Sequence, residues 1–236
     1  VGGFYPGGYV QVQTVYNKPK AFSWSYSKLK NFESCPKRHW HLDVAKDVKD
    51  EESEALLYGN QLHDALAKRI GKGVALPEPF KAMEPWALKV ITGEGNILVE
   101  QKLAITKDFG PCDFFDKQAW FRGVGDVIKI VGGAALILDW KTGKVVEDSQ
   151  QLALMAACVF AHHPSVRKVR SEFIWLKEDA TTRADFTRDD MPKMWNNLWP
   201  RIEALEHAHT TTTYPAKPGF LCRRWCPVEK CPHHGE

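Results

Sequence analysis

WFRGVGDVIKIVGGAALILDWKTG, Trp120 to Gly143, decides the reading of the fold. Two runs rich in Val and Ile flank Gly132-Gly133, and paired glycines between such runs signal a tight hairpin. The turn brings the chain back so that Asp126 on the first run and Asp139 on the second lie on adjacent strands. Side chains alternate along a strand, so Asp139 and Lys141 point to one side just past the apolar Leu136, Ile137 and Leu138. Burying a carboxylate and an ammonium there is costly without partners or a metal. The residues alone leave two readings open: a hairpin with a surface Asp–Lys pair, or a site in which Asp126, Asp139 and Lys141 share a divalent metal and a water.

Outward from the hairpin, ILVEQKLAIT alternates as a preceding strand and KVRSEFIWL reads as a following one. An apolar helix is predicted between them over 149–163. SWSYSKLKNFESCPKRHWHLDV predicts a helix starting after Ser23 or Ser25, with Leu29 and Phe32 inward. EALLYGNQLHDALAKRI predicts another, with Leu62, Leu66 and Ile70 as its apolar stripe and Gly71 as its stop. A last helix runs from about Asp189 to Ala208, kinked at Pro200. KDVKDEESE reads as a solvated acidic linker, and the tail from Thr210 is turn-rich. The order is that of an α/β domain with helical additions. Residues 1–20 read as a flexible N-terminal segment, and 21–236 as one domain.

The 236 residues are 44% hydrophobic and 26% charged, ordinary for a soluble globular protein. No run approaches the roughly 18 apolar residues of a membrane span. The chain opens without a charged–apolar–small leader, so a cytoplasmic protein of a bacterium or a phage-infected cell is expected. The net charge is only +3, but it is unevenly spread. Lys18, Lys20, Lys28, Lys30, Lys37 and Arg38 face Glu33 near one end; Lys217, Arg223, Arg224 and Lys230 face Glu229 near the other. If the ends meet, they form a basic surface suited to phosphates.

A D/E-x-K triplet is weak by itself, and this chain holds three: Asp47-Val48-Lys49, Glu100-Gln101-Lys102 and Asp139-Trp140-Lys141. The third differs because Asp126 sits on the partner strand. Carboxylates hold magnesium, and two such ions can flank the attacking and leaving oxygens of a phosphodiester. Lysine suits the neighbouring place because its ammonium is a compact point charge. At this point the residues resemble a family. Asp126…Asp139-x-Lys141, within GVGDVI and ILDWKTG, is similar to the PD-(D/E)XK nuclease superfamily, in its RecB-like branch. SYSKLKNFESCPKRHW resembles the opening helix of that branch, YGNQLHDAL its G-x-x-x-H helix, and QQLALMA its Q-x-x-x-Y helix. The resemblance covers roughly Phe22 to Cys231.

The resemblance implies a restriction-endonuclease-like core, a mixed central sheet flanked by helices. It implies His63, Asp126 and Asp139 as ligands of one or two magnesium or manganese ions, Lys141 as the catalytic lysine, and the Trp140 carbonyl as a further ligand. Some members use a glutamate where Glu100 stands. The family's glutamine falls on Gln151, expected near DNA, while its tyrosine position holds Met155 here.

FLCRRWCPVEKCPHH spaces Cys222, Cys226 and Cys231 as C-x3-C-x4-C, with Cys35 far upstream. Three close cysteines and a distant fourth make a set that can bind an iron–sulfur cluster. The arrangement resembles AddB-type and CRISPR-associated nucleases of the branch, in which such a set holds a 4Fe–4S cluster. Zinc bound by three cysteines and His233 or His234 is the rival. Either would join the two basic ends beside the core, with Lys37, Arg38, Arg223 and Arg224 as DNA contacts. The resemblance thus implies a Mg/Mn-dependent exonuclease acting on DNA ends or single strands without sequence readout, in recombination or replication. The competing expectations are a catalytically inactive DNA-end binding module and a CRISPR-adaptation nuclease.

Overall fold

The computed structural model describes residues 21–50, 53–146 and 148–236. The expectation of a flexible segment over residues 1–20, with Lys18 and Lys20, lies outside these. The chain runs through α1 (Tyr26–Ser34), α2 (Pro36–His39, continued by a π turn at Trp40–Ala45), α3 (Glu54–Lys72) and α4 (Glu84–Ile91). Then follow β1 (Asn96–Ile105), β2 (Pro111–Cys112), β3 (Phe121–Val131), β4 (Ala134–Lys141) and α5 (Gln150–His162). β5 (Lys168–Trp175), β6 (Ala180–Thr187), α6 (Met191–Thr211) and the short α7 (Phe220–Arg224) complete it. The strands form one mixed six-stranded sheet in the order β2-β1-β3-β4-β5-β6. Neighbours are antiparallel except β4 and β5, which are parallel with Lys141 opposite Trp175. Among the described residues no helix is long and apolar enough to cross a membrane.

The hairpin forms as its sequence requires. β3 and β4 turn at Gly132, whose φ of 54° suits glycine, and Val131 pairs with Ala134. Helices cover both faces of the sheet. On one side Leu62, Leu66, Ala87 and Val90 of α3 and α4 pack on Val127, Leu138, Trp140 and Ile174. On the other, α5 lies between the sheet and α6, against Trp195, Leu198, Ile202 and Leu205. Every residue of α5 from Leu152 to Phe160 is therefore buried, which is why its sequence is apolar all round.

Three expectations need correction. α3 does not stop at Gly71 but runs to Lys72 and is capped by Gly73 at φ 70°. Gly71 is small for a different reason: a Cβ there would lie 3.5 Å from Val99 Cγ2, so it lets α3 approach β1. The sequence reading also passed over β6, a polar edge strand, and α4. The Lys46–Glu54 linker is not merely solvated, since Asp47 binds His41 and Lys230, and both Asp50 carboxylate oxygens accept from Arg38 Nη2.

α5 comes close to the sheet at GVGD. A Cβ on Gly123 would stand 2.5 Å from Met155 Sδ, and one on Gly125 would stand 3.2 Å from Met155 Cε. Met155 thus fills the space two glycines leave on β3, and is itself buried. Gly123→Val should destabilise the protein by about 1–3 kcal/mol through overpacking. Met155→Ala in the same chain should recover part of that loss, which chemical denaturation of the double-mutant cycle will read as non-additivity.

Candidate active site

The register of the sheet sets three acids in one row. Val99 pairs with Val127 and Gln101 with Gly125, which puts Glu100 opposite Asp126. Val127 pairs with Leu138, which puts Asp126 opposite Asp139. Like charges opposed across a sheet repel, and here the regular ladder gives way. The β3–β4 pairing goes no further than Val127 and Leu138 in this direction. Beyond it the Trp140 N–H donates to the Asp126 carboxylate at 2.8 Å instead of to a strand carbonyl.

β1 and β3 also change face at this row. Ile97, Val99 and Val127 lie on the α3 side, whereas Leu103, Ile105, Phe121 and the two glycines facing Met155 lie on the α5 side. All of these are odd-numbered, so the alternation inverts across Glu100 and Asp126. Glu100 absorbs the inversion on β1 with φ of 51°, a left-handed backbone that a non-glycine residue adopts at a cost.

α3 meets this row because Gly59 lies against the end of β4, where an added Cβ would be 3.1 Å from Thr142 Oγ1. One turn on, His63 Nδ1 is 3.4 Å from Asp126 Oδ1, and the ring also hydrogen-bonds the Trp140 backbone. Ligand atoms of His63, Glu100 and Asp126 all lie within 4.8 Å of one another, a spacing that one metal ion can span. The structure therefore brings Glu100 into the group.

Asp139 and Lys141 share the α5 side, as strand alternation predicted. Lys141 Nζ is 2.7 Å from Asp139 Oδ1, and Gln151 of α5 donates to Asp139 Oδ2 at 2.7 Å. Gln151 Oε1 in turn accepts from Lys141 Nζ at 3.3 Å. The Lys141 ammonium lies 4.7 Å from the centre of the Phe173 ring. Phe173 was missed in the sequence; the parallel register that sets it beside Asp139 is its only signal. Also missed was a polar brace at the start of α5, where Tyr26 donates to Asp148 and Arg201 joins Gln150 to Glu33 of α1.

The charges disturb one another. Burial pushes the Asp139 carboxyl up, with Asp126 adding to the rise and Lys141 opposing it. Burial and Asp126 likewise raise Glu100. Burial alone would lower His63, but its hydrogen bond to Asp126 and the nearby carboxylates outweigh that and raise it.

The chain ends meet at the cysteines. Cys35, Cys222, Cys226 and Cys231 line one pocket of about 180 Å³, together with Arg38, Lys217 and His233. Lys37 N–H donates to the Pro215 carbonyl, Lys217 Nζ to the Glu33 carbonyl, and Lys230 pairs with Asp47. The basic surface is thereby reduced: Arg38 is held by Asn31 and Asp50, while Arg223 and Arg224 remain exposed.

A family model of the PD-(D/E)XK nuclease superfamily matches residues 23–231. No curated protein matches. Among solved structures, one described as a putative exonuclease from Eubacterium rectale superposes with a TM-score of 0.55 at 13% identity, covering 95% of each chain. Another, described as SSO0001, has a TM-score of 0.46 at 14% identity, covering 90% of this chain and 86% of that one.

Two outcomes follow from the geometry. Glu100→Gly frees the left-handed backbone and removes a carboxylate from the acidic row, so the metal-free protein should gain about 1 kcal/mol in denaturant unfolding while manganese binding weakens. Asp139 holds its proton more tightly folded than unfolded, so its contribution is present at low pH and lost as pH rises through the raised pKa. In chelator, the melting temperature of Asp139→Asn relative to the parent should therefore climb from pH 4 to pH 8.

Proposed function

The chain belongs to the PD-(D/E)XK nuclease superfamily, and from that premise we propose that it is a divalent-metal-dependent exonuclease hydrolysing phosphodiester bonds at DNA ends. The observation that carries this is the joining of two half-sites where β3 and β4 part. His63, Glu100 and Asp126 gather ligand atoms on one side, and the Asp139–Lys141–Gln151 triangle stands on the other.

Two carboxylates and an imidazole, with the Trp140 carbonyl beside them, suit manganese or magnesium. The ion would supply Lewis acidity at a phosphoryl oxygen and lower the pKa of a water. The protein's own groups do the rest. Asp126 fixes the end of β4 through the Trp140 N–H, so that Lys141 is presented at a set depth. Asp139 and Gln151 steer the Lys141 ammonium, which orients the attacking water and offsets charge gathering on the phosphate. Gln151, expected at the DNA, serves in this reading to hold the lysine and Asp139.

The description of the Eubacterium rectale structure as an exonuclease supports an end-directed activity. The exposed Arg223, Arg224 and Trp225 offer backbone and stacking contacts without base readout, in keeping with the processing of ends in recombination or replication.

We also assign the four cysteines to a 4Fe–4S cluster. The donors fit in kind: four cysteines line one pocket of about 180 Å³, and backbone N–H groups of Lys217 and Val228 bond Cys35 and Cys226. Zinc, the rival, would need three of the sulfurs and His233 or His234 about one ion, and the His233 ring is paired with Glu236 through Nδ1.

Asp139→Ala and Lys141→Ala should each lower magnesium- or manganese-dependent digestion by about 10²–10⁴-fold while gel-shift affinity for DNA survives. End-labelled linear DNA, single- and double-stranded, should be degraded and covalently closed circles spared. Undiminished cleavage by either variant, or equal attack on circles, would sink the reading.

A further inference from the structure

Four half-buried thiolates carry more negative charge than the iron–sulfide core of a cluster balances, so neighbouring donors and cations decide how firmly it is held. Two donors are backbone groups. Lys217 N–H lies 3.4 Å from Cys35 Sγ, and Val228 N–H bonds Cys226. A third is a side chain. Arg38 follows Cys35 by three residues on α2 and lines the pocket of the four cysteines.

Its guanidinium is fixed at both outer nitrogens. Nη1 donates to Asn31 Oδ1 at 3.0 Å, and Nη2 to both Asp50 oxygens at 2.9 Å. The side chain is only 14% exposed, yet its Nε–H has no partner. Trp24 and Trp120 hold the other such buried nitrogens among the described residues, and both are indoles in the apolar core. An unpaired N–H on a buried cation is expensive and calls for an acceptor.

Two other polar groups of the pocket are already engaged. Lys217 Nζ donates to the Glu33 carbonyl at 2.7 Å, and His233 Nδ1 pairs with Glu236 at 2.8 Å.

We propose that Arg38 belongs to the cysteine site, where its Nε–H donates to a sulfur of the bound cluster and its charge keeps the cluster from leaving. The inference rests on the iron–sulfur reading and moves Arg38 from DNA contact to cluster support. Asn31 and Asp50 act as positioning residues that turn the guanidinium edge toward the pocket.

The test uses the full chain purified without oxygen. Iron, acid-labile sulfide and zinc are counted, the cluster absorbance is followed during chelation, and the midpoint potential is measured. The parent should hold iron and sulfide. Arg38→Gln should lose its cluster about 10-fold faster and titrate at a more negative potential. Arg38→Lys, which keeps the charge without the fork, should fall between them. Asp50→Asn keeps the guanidinium and loosens it, so it should shift both readouts less and in the same direction, even if Arg38→Gln fails to fold. A parent chain with zinc or no metal overturns the cluster reading itself. A loaded parent whose Arg38→Gln and Asp50→Asn forms keep its decay rate and potential overturns the assignment of Arg38 alone.

Discussion

Three carboxylates in one cross-strand row set the terms for the rest of the fold. Glu100, Asp126 and Asp139 face one another through the register of β1, β3 and β4, and a regular sheet could not hold them in contact. The sheet yields by inverting its alternation and parting its strands, and each acid then finds a different partner. Asp126 takes a backbone N–H and the His63 ring, Asp139 takes Lys141 and Gln151, and Glu100 is carried on a left-handed backbone. The close packing around the row follows from this. Gly59 admits α3 so that His63 can arrive, and Gly123 and Gly125 admit α5 so that Gln151 can.

The parallel pairing of β4 and β5 matters equally. It requires a crossover, and the crossover is α5, which starts beside the end of β4 and runs back along the sheet. The same topology therefore delivers Gln151 to the site at the helix start and an apolar body to the core behind it. Tyr26, Asp148, Gln150, Arg201 and Glu33 brace that start against α1 and α6. The first helix of the described residues is thus tied to the helix that steers Lys141.

Much of this was legible in the residues. The glycine pair between two β-branched runs announced the hairpin and put Asp126 and Asp139 on adjacent strands. Lys141 was legible because two residues along a strand is one full period. Glu100 was harder, because only the family resemblance pointed to it and nothing in its neighbouring residues announced the left-handed backbone that carries it. Gly71 misled because glycine serves two purposes, and here it is a close approach to Val99 rather than a stop. β6 went unseen because ATTRADFT has a neighbour on one edge only and carries few apolar residues to alternate. Arg38 looked like a free cation in KRHW until Asp50, in a stretch that read as solvated linker, was found holding it.

The clasp between the chain ends has a bearing on how the molecule comes together. Asp126 and Asp139 are 13 residues apart, whereas Cys35 and Cys222 are separated by 187. Loop-closure entropy grows with the logarithm of that distance, so bringing the cysteines together costs about 2.4 kcal/mol more than closing the hairpin. Local pairing of β3 with β4 can precede the rest, and the cysteine pocket exists only once the sheet and α6 have carried the tail back to α2. The catalytic half of the molecule is in this sense the scaffold on which the other half is assembled, and any group bound by the cysteines is acquired last.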